Sequence, residues 1–275
     1  MPFSQDVETI ELELLLEAIH RRYSYDFRDY ARGSLKRRLW HRAHAEQLPT
    51  LSALQERVLR DPDCMDRLLV DLSINVTSMF RDPGFFAAFR ADVVPILRTY
   101  PFLRVWNAGC STGEEVYSMA ILLQEEGLYD KARIYATDIN ERVVARAAAG
   151  TFGLDRMREY TSNYMQAGGK ESFSSYYTAH EDQVRFDPEL TRNVVFAQHN
   201  LVSDKSFNEF NVILCRNVMI YFNRALQEHV HRLFHESLAM FGVLGLGNKE
   251  SIRFSGHESS YQELHEEQRL YRRVR

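Results

Sequence analysis

Apolar residues recur at helical spacing throughout the first quarter of the chain. Residues 6–20 and 30–45 each place them on one face, which predicts two amphipathic helices. Thr50 and Asp61 are suitable N-terminal caps, and they predict two further helices that end near Leu59 and Leu72. We therefore expect an N-terminal helical domain, and we assign residues 1–90 to this domain and its linker.

After Leu103 the pattern changes to short apolar runs that alternate with helical segments. A helix that starts at Asp82 with several inward phenylalanines precedes this change. Strands are expected at 104–106, 133–137, 194–197, 210–215, 242–246 and 271–274, and helices at 117–126, 141–150 and 224–240. Such alternation is typical of a mostly parallel sheet covered on both faces, so residues 91–275 are expected to form an α/β domain.

Residues 151–190 interrupt this alternation. Two β-prone runs, 172–178 and 184–186, flank the polar turn His180-Glu181-Asp182, which is a hairpin signal. We therefore expect a small antiparallel β-subdomain, inserted in the α/β domain at about 160–190.

Composition narrows the class of protein. The chain has 275 residues, a formal net charge of -4 and three cysteines without a CxxC pair. This favours a reducing compartment and does not favour a nucleic-acid-binding protein. Because we find neither a signal peptide nor an apolar run of about 20 residues, we expect a cytoplasmic protein without membrane insertion.

Positive charge is concentrated in the predicted second helix. Eight Arg and Lys residues lie between Arg21 and Arg42, against Asp26 and Asp29. Two interpretations stay open: a solvated helix face, or a patch that docks an acidic partner. The candidate docking residues are Arg28, Arg32, Arg37, Arg38 and Arg42.

A glycine turn follows the first predicted strand. Gly109 and Gly113 enclose Cys110-Ser111-Thr112, and Glu114 and Glu115 then open a helix. The glycines allow backbone to approach a ligand, but the two acids already face the positive end of the helix, which disfavours a pyrophosphate. Asp138 ends the second strand, where an acid can bind ribose hydroxyls. The turn is not G-x-G-x-x-G, and the set suits S-adenosylmethionine (SAM); an ordinary tight turn is the alternative.

Five strings now carry a resemblance to the CheR family of chemotaxis-receptor glutamate O-methyltransferases. They occur in the family's order, as INVTSMFRDPGFF, VWNAGCSTGEEVYSMA, IYATDIN, LCRNVMIYF and GVLGLGNKES. The chain departs from the family at Met79, Val116 and Asn248-Lys249-Glu250. The resemblance implies a Rossmann-like SAM-dependent methyltransferase sheet with an N-terminal helical domain and the β-subdomain. It also implies SAM contacts, which with Gly109 of the turn are Asn75, Thr77, Arg81, Glu114 or Glu115, Asp138, Asn200, Leu201, Arg216 and Asn217.

The resemblance further implies methyl transfer to glutamates on cytoplasmic methylation helices of chemoreceptors, with S-adenosylhomocysteine as product. Tyr221 falls at the family's active-site tyrosine, and Arg98 is the best candidate for an arginine expected before the first strand. A glutamate is ionised at pH 7, so the absence of an evident general base agrees with this reaction. The string TAHEDQ lacks the Gly-x-Gly turn of members that bind a receptor pentapeptide, which predicts pentapeptide independence.

Two alternatives remain: a catalytically silent SAM-sensing adaptor, and a SAM methyltransferase with another substrate. His231 and His235 have metal-ligand spacing, but no third ligand cluster follows, so no metal is predicted. The sequence leaves the receptor and the oligomeric state open.

Overall fold

The computed structural model describes residues 6–73, 77–253 and 255–275. These residues form two compact units. The first unit holds the described residues before 75 together with Tyr221–Gln227, and the second holds the remainder. The segment around Asp82 was expected in the first domain and its linker, residues 1–90. It lies in the second unit.

The first unit is helical, as predicted. Helices α1 (Val7–Tyr23), α2 (Arg32–Ala45), α3 (Leu51–Arg60) and α4 (Pro62–Leu72) bury their apolar faces together. Thr50 Oγ1 accepts a hydrogen bond from Ala53 N at 3.0 Å, and Asp61 Oδ1 accepts one from Asp63 N at 3.0 Å. Both predicted caps therefore begin their helices.

The segment 221–227 joins the helical unit through its backbone. Ala31 N donates to Tyr221 O at 2.8 Å, and Asn223 N donates to Asp29 O at the same distance. The Phe222 ring meets the Tyr30 ring edge-on at 4.9 Å. Tyr221 is therefore fixed against the chain that leads into α2.

The second unit is built on a twisted sheet that begins after two short helices, α5 (Pro83–Ala88) and α6 (Val94–Arg98). In the described part of the chain the sheet has seven strands in the order β6-β2-β1-β7-β8-β10-β9. The first five, which run in parallel, are β1 (Leu103–Ala108), β2 (Ala132–Asp138), β6 (Val194–Gln198), β7 (Phe210–Cys215) and β8 (Leu238–Leu246). Strands β9 (Tyr261–His265) and β10 (Leu270–Arg273) complete it in antiparallel pairing.

Helices α7 (Glu114–Glu125), α8 (Glu141–Ala149) and α10 (Arg224–Ser237) connect these strands. Leu103 lies opposite Ala132 and Ala108 opposite Thr137, so β1 and β2 end side by side. The turn after β1 is thereby placed next to Asp138, at the carboxyl edge of the sheet where ligands bind in such folds. This confirms the predicted fold class.

The junction between α10 and β8 differs from the prediction. We expected a helix to residue 240 and a strand from 242, but the helix ends at Ser237 and β8 begins at Leu238. Leu238 pairs with Phe210, and the register then shifts across a bulge before Val243 pairs with Val212. The bulge accommodates Phe241 in a left-handed conformation, which an apolar pattern alone does not reveal.

The insertion is antiparallel, as predicted, but its boundaries differ. It comprises β3 (Thr151–Gly153), α9 (Met157–Gln166), β4 (Tyr177–His180) and β5 (Gln183–Phe186), with strand order β3-β5-β4. It thus begins near 151, and residues 173–176 form a 3-10 turn instead of strand. Within the described ranges, no helix combines the length and apolar character that a membrane crossing requires.

Candidate cofactor-binding site

Most backbone amides of the turn between β1 and α7 donate hydrogen bonds to acceptors within the protein. The amides of Gly109 and Cys110 both donate to Thr137 O at 2.8 Å. The amide of Ser111 donates to Asp138 Oδ2 at 3.0 Å, and that of Gly113 to Cys110 O at 3.0 Å. Phosphate-binding loops instead direct such amides at their ligand. The turn therefore supports a ligand without phosphate.

Two positions in this turn require glycine. Gly109 has φ +79°, and a Cβ atom there would lie 2.5 Å from Val218 Cγ2. Gly113 has φ +99°, and its Cβ would lie 2.9 Å from Ala147 Cβ. An L-residue would be strained at either position and would collide with a neighbouring side chain.

The two carboxylates that open α7 have different surroundings. Glu114 is only 5% exposed, and its oxygens accept from Thr112 Oγ1 at 2.6 Å and Tyr160 OH at 3.2 Å. Burial raises the pKa of Glu114, and these hydrogen bonds oppose the rise. The Glu115 side chain keeps 19% of its surface exposed beside the turn. Glu115 is therefore the more accessible of the two for a ligand's ammonium group.

Arg216 is a buried ion-pair centre. Its Nη1 contacts Glu115 Oε2 at 2.7 Å, and its Nη2 contacts Asp82 Oδ2 at 2.9 Å. The guanidinium lies 4.1 Å from the centre of the Phe85 ring, and the side chain is 1% exposed. The charge of this side chain is therefore already used between Asp82, which precedes α5, and Glu115 of α7. Any cofactor contact from Arg216 is left to its backbone.

Asp138 and Asn200 lie at adjacent strand ends. Asp138 Oδ1 accepts from Asn140 N at 3.1 Å, and Asp138 O accepts from His199 N at 3.1 Å. Burial raises the pKa of Asp138, and hydrogen bonds from backbone amides oppose the rise. Asn200 Oδ1 accepts from Val202 N at 3.0 Å, which shapes the turn that contains buried Leu201. The structure therefore brings Asp138, Asn200 and Leu201, which are predicted cofactor contacts, to one edge of the sheet.

Asn217 supplies an unsatisfied polar atom. Its backbone is left-handed at φ 61°, and its side-chain Oδ1 is buried without a hydrogen-bond partner among the described residues. Buried acceptors are usually satisfied, so this oxygen calls for a donor from a ligand. Hydroxyl and amino groups of an S-adenosyl compound would provide one. The residues present thus fit SAM.

The segment that precedes α5 lies over the first turns of α7. Phe80 N donates to Ser118 Oγ at 2.8 Å, and Arg81 O accepts from Arg216 Nη2 at 3.0 Å. Helix α9 also holds this segment, because Ser78 Oγ donates to Glu159 Oε1 at 2.6 Å. Thr77 and Arg81 therefore lie in the same unit as the glycine turn, while Asn75 is outside the described residues.

Arg98 lies away from this edge of the sheet. It ends α6, just before the amino end of β1, and its side chain is 57% exposed. Its Nη2 pairs at 3.0 Å with Glu126, directly beyond the end of α7 opposite to the glycine turn. The structure therefore does not bring Arg98 together with the other predicted site residues, because a strand and a helix separate them.

In the helical unit, the arginine next to Tyr221 is Arg38. Its guanidinium lies 4.7 Å from the centre of the Tyr221 ring, and the residue is 8% exposed. Arg38 Nη1 donates to Leu72 O at 2.6 Å, whereas Nη2 is buried without a partner among the described residues. Burial lowers the pKa of Arg38. Sequence spacing named Arg38 as a surface residue and missed this pairing.

Acidic side chains of the same helical unit pair with most of the arginines in the basic patch. The charged partners are Asp26 and Glu17 for Arg28, Glu13 for Arg32, and Asp71 and Glu46 for Arg42. The burial of Arg38 removes a further positive charge from the exposed surface. Arg37 is exposed and forms no ion pair with any residue the structure describes.

The two α10 histidines with metal-ligand spacing, His231 and His235, have separate environments. Burial lowers the pKa of His231 to about 4, and the His235 ring stacks on His257 at 4.6 Å. The described ranges contain no group of three or more His, Cys, Asp or Glu side chains placed to hold a metal ion.

Comparison with known proteins identifies the family. The family described as CheR methyltransferase, SAM binding domain, matches residues 75–269, and CheR methyltransferase, all-alpha domain, matches residues 10–73. The Cher3 protein of Pseudomonas putida, named as a methyltransferase, is 52% identical over 96% of this chain and 97% of its own length. A chemotaxis protein methyltransferase of Listeria monocytogenes is 29% identical over 85% of this chain and 87% of its own. Its namesake in Salmonella typhimurium is 34% identical over 66% and 62%. This chain therefore belongs to the CheR family of SAM-dependent methyltransferases.

Proposed function

We propose that this chain methylates glutamate side chains on the cytoplasmic methylation helices of chemoreceptors. The names of the relatives support a chemotaxis substrate. The observation that carries the proposal is Arg38, a buried guanidinium with an unused donor and no ion-pair partner among the described residues. A buried cation is costly unless an anion pairs with it, and a carboxylate fits its planar donors.

Tyr221 and Arg38 then share the work on the substrate. Tyr221 donates to one carboxylate oxygen, Arg38 holds the anion, and the other oxygen is left free to attack. SAM supplies an electrophilic methyl group. The new C–O bond forms as the C–S bond breaks, and the electron pair of the C–S bond stays on sulfur. The products are a glutamate methyl ester and S-adenosylhomocysteine, and no proton has to move, because the carboxylate is ionised at pH 7.

For the cofactor we propose a set drawn from the α/β unit. Glu115 is preferred over Glu114 for the ammonium group, since Glu114 is enclosed. Asp138 is assigned to the ribose hydroxyls, by the rule for acids at this strand end. The remaining proposed contacts are Asn75, Thr77, Arg81, Gly109, Asn200, Leu201, Asn217 and the backbone of Arg216.

On the receptor side, we propose that α2 contacts the acidic methylation helix chiefly through Arg37. Arg28 and Arg32 contribute only by exchanging one carboxylate for another, which is nearly neutral at exposed sites. Arg42 is 13% exposed and contributes less, because it is held between Asp71 and Glu46. Arg37→Glu should raise the KM for receptor and leave SAM affinity unchanged. Arg32→Glu is the matched control with the smaller effect, and an equal loss in both variants would contradict this assignment.

We also propose that methylation needs no pentapeptide tether. The turn between β4 and β5 is formed by Glu181 and Asp182, with Glu181 at φ 53°, and contains no glycine. Calorimetry with a receptor C-terminal pentapeptide should show no binding, and a measurable dissociation constant would refute this part of the proposal.

The deciding experiment is transfer of labelled methyl from SAM to receptor-bearing membranes, scored as methanol released by base. Arg38→Met should reduce kcat by about 10- to 100-fold, the value of a charged hydrogen bond. Its SAM affinity should equal that of the wild type, and Arg98→Met should retain full activity. Label that resists base would indicate N- or C-methylation of another substrate. SAM binding without transfer would favour the silent adaptor.

A further inference from the structure

One buried carboxylate outside the predicted site gathers four backbone donors. Glu250 lies beyond the end of β8 and is 5% exposed. Its Oε1 accepts from Val218 N at 2.8 Å and Met219 N at 2.7 Å, and its Oε2 accepts from Asn217 N at 2.9 Å and Gly247 N at 2.7 Å. Charged acceptors of this kind form strong hydrogen bonds. The carboxylate therefore fixes three consecutive residues after β7.

The Glu250 carboxylate, Gly247 and the Asn217 backbone are closely packed. A Cβ atom on Gly247 would lie 2.7 Å from Glu250 Oε2 and 2.8 Å from Asn217 N, so only glycine lets the carboxylate approach. Burial raises the pKa of Glu250, and the hydrogen bonds from the four amides oppose the rise. The sequence showed Glu250 only within a variant motif and suggested no role for it.

The fixed residues border the cofactor turn. Val218 Cγ2 fills the space next to Gly109, where a Cβ would come within 2.5 Å. Asn217 is held left-handed with its Oδ1 buried and unsatisfied. A left-handed asparagine is a minor conformation for a free chain, so the carboxylate offsets its cost. The position of both residues thus depends on one side chain that is itself enclosed.

We propose that Glu250 is a positioning residue for SAM, which holds Asn217 and Val218 as one wall of the cofactor site without contacting the cofactor. The proposal rests on the assignment of Asn217 to the cofactor. It does not depend on the receptor substrate, because SAM binding can be measured without any methyl acceptor.

The test compares two buried glutamates by calorimetry with SAM and by thermal unfolding. Glu250→Gln directs an amide donor at amide donors, so the Kd for SAM should rise by about tenfold or more. Glu125→Gln is the matched control: its side chain is 2% exposed and accepts from Lys170 N and Tyr176 OH at the far end of α7. The control should lose stability yet keep its SAM Kd within about twofold.

A double mutant separates positioning from general destabilisation. If Glu250 acts through Asn217, Glu250→Gln combined with Asn217→Ala should lose no more SAM affinity than the worse single variant. Additive losses would overturn the proposal, as would an unchanged Kd in Glu250→Gln or an equal loss in the Glu125→Gln control. If Glu250→Gln does not fold, Glu250→Asp replaces it: a weakened SAM Kd supports the proposal and a wild-type Kd refutes it.

Discussion

The sharpest prediction concerns Arg216, a predicted cofactor contact whose side chain lies buried between two carboxylates. Arg216→Met removes the cation that lies between Glu115 and Asp82. Breaking a buried ion pair costs about 3–5 kcal/mol, because the remaining charge stays buried. Asp82 is 33% exposed and therefore partly screened, so we expect the lower end, about 3 kcal/mol. For a unit of this size that lowers the Tm by about 6–12 °C.

The assay is thermal unfolding followed by circular dichroism, with SAM binding measured in parallel. The matched control is Arg98→Met: Arg98 is 57% exposed, and its partner Glu126 keeps Arg90 and Lys170 as partners, so the loss should be at most about 1 kcal/mol. Adding Glu115→Gln to Arg216→Met removes one of the two stranded charges and should restore part of the lost stability. SAM affinity should fall in this double variant if Glu115 binds the ammonium group.

A different result would refute this reasoning. If Arg216→Met unfolds within about 2 °C of the wild type, less than 1 kcal/mol has been lost and the ion pair is not structural. If that variant also loses SAM affinity, the side chain contacts the cofactor after all. A structural ion pair therefore predicts a lower Tm with an unchanged Kd for SAM, whereas a cofactor contact predicts a raised Kd for SAM.

Three further predictions concern single positions. Glu114→Gln should raise the Tm at pH 7 but not at pH 4, because a raised pKa means that this carboxyl stabilises the fold only while protonated, and the contribution is lost as pH rises above 4.5. Gly109→Ala should weaken SAM binding more than Gly127→Ala, since both have positive φ but only Gly109 faces a neighbour within 4 Å. For His231, whose pKa falls from 6.5 to about 4, stability present above pH 6.5 should be lost as pH falls, by about 3 kcal/mol below pH 4. His231→Leu should flatten that loss in unfolding experiments across this pH range.

Much of the fold was accessible from local pattern. The Thr50 and Asp61 caps, the helices they begin and the paired ends of β1 and β2 all follow from residues close in sequence. Local signals failed where a bulge or a 3-10 turn replaced regular strand, as at Phe241 and at residues 173–176. Such irregular backbone depends on what the segment packs against, which periodicity does not encode.

The site was harder to predict than the fold, because its charged side chains form ion pairs with residues far away in sequence. Arg216 follows a strand as a ligand residue would, yet its carboxylate partner Glu115 lies 101 positions earlier. The arginines around α2 form a basic stretch, yet acids of α1 and α4 neutralise several of them. Sequence therefore located the residues that gather at the sheet edge, but not which of them remain available to a ligand.

The distribution of charge at this glycine turn favours a cation over a phosphate. The amides of Gly109, Cys110 and Ser111 are occupied by Thr137 and Asp138, so a phosphate would find these donors already used. Glu114 and Glu115 occupy the positive end of α7, where a phosphate would otherwise bind, although Arg216 pairs with Glu115 and offsets part of this negative charge. A ligand with a sulfonium and an ammonium group gains from the same acids that exclude a nucleotide phosphate. Selectivity for SAM is thus a property of how these charges are paired, and the glycines only give the turn its shape.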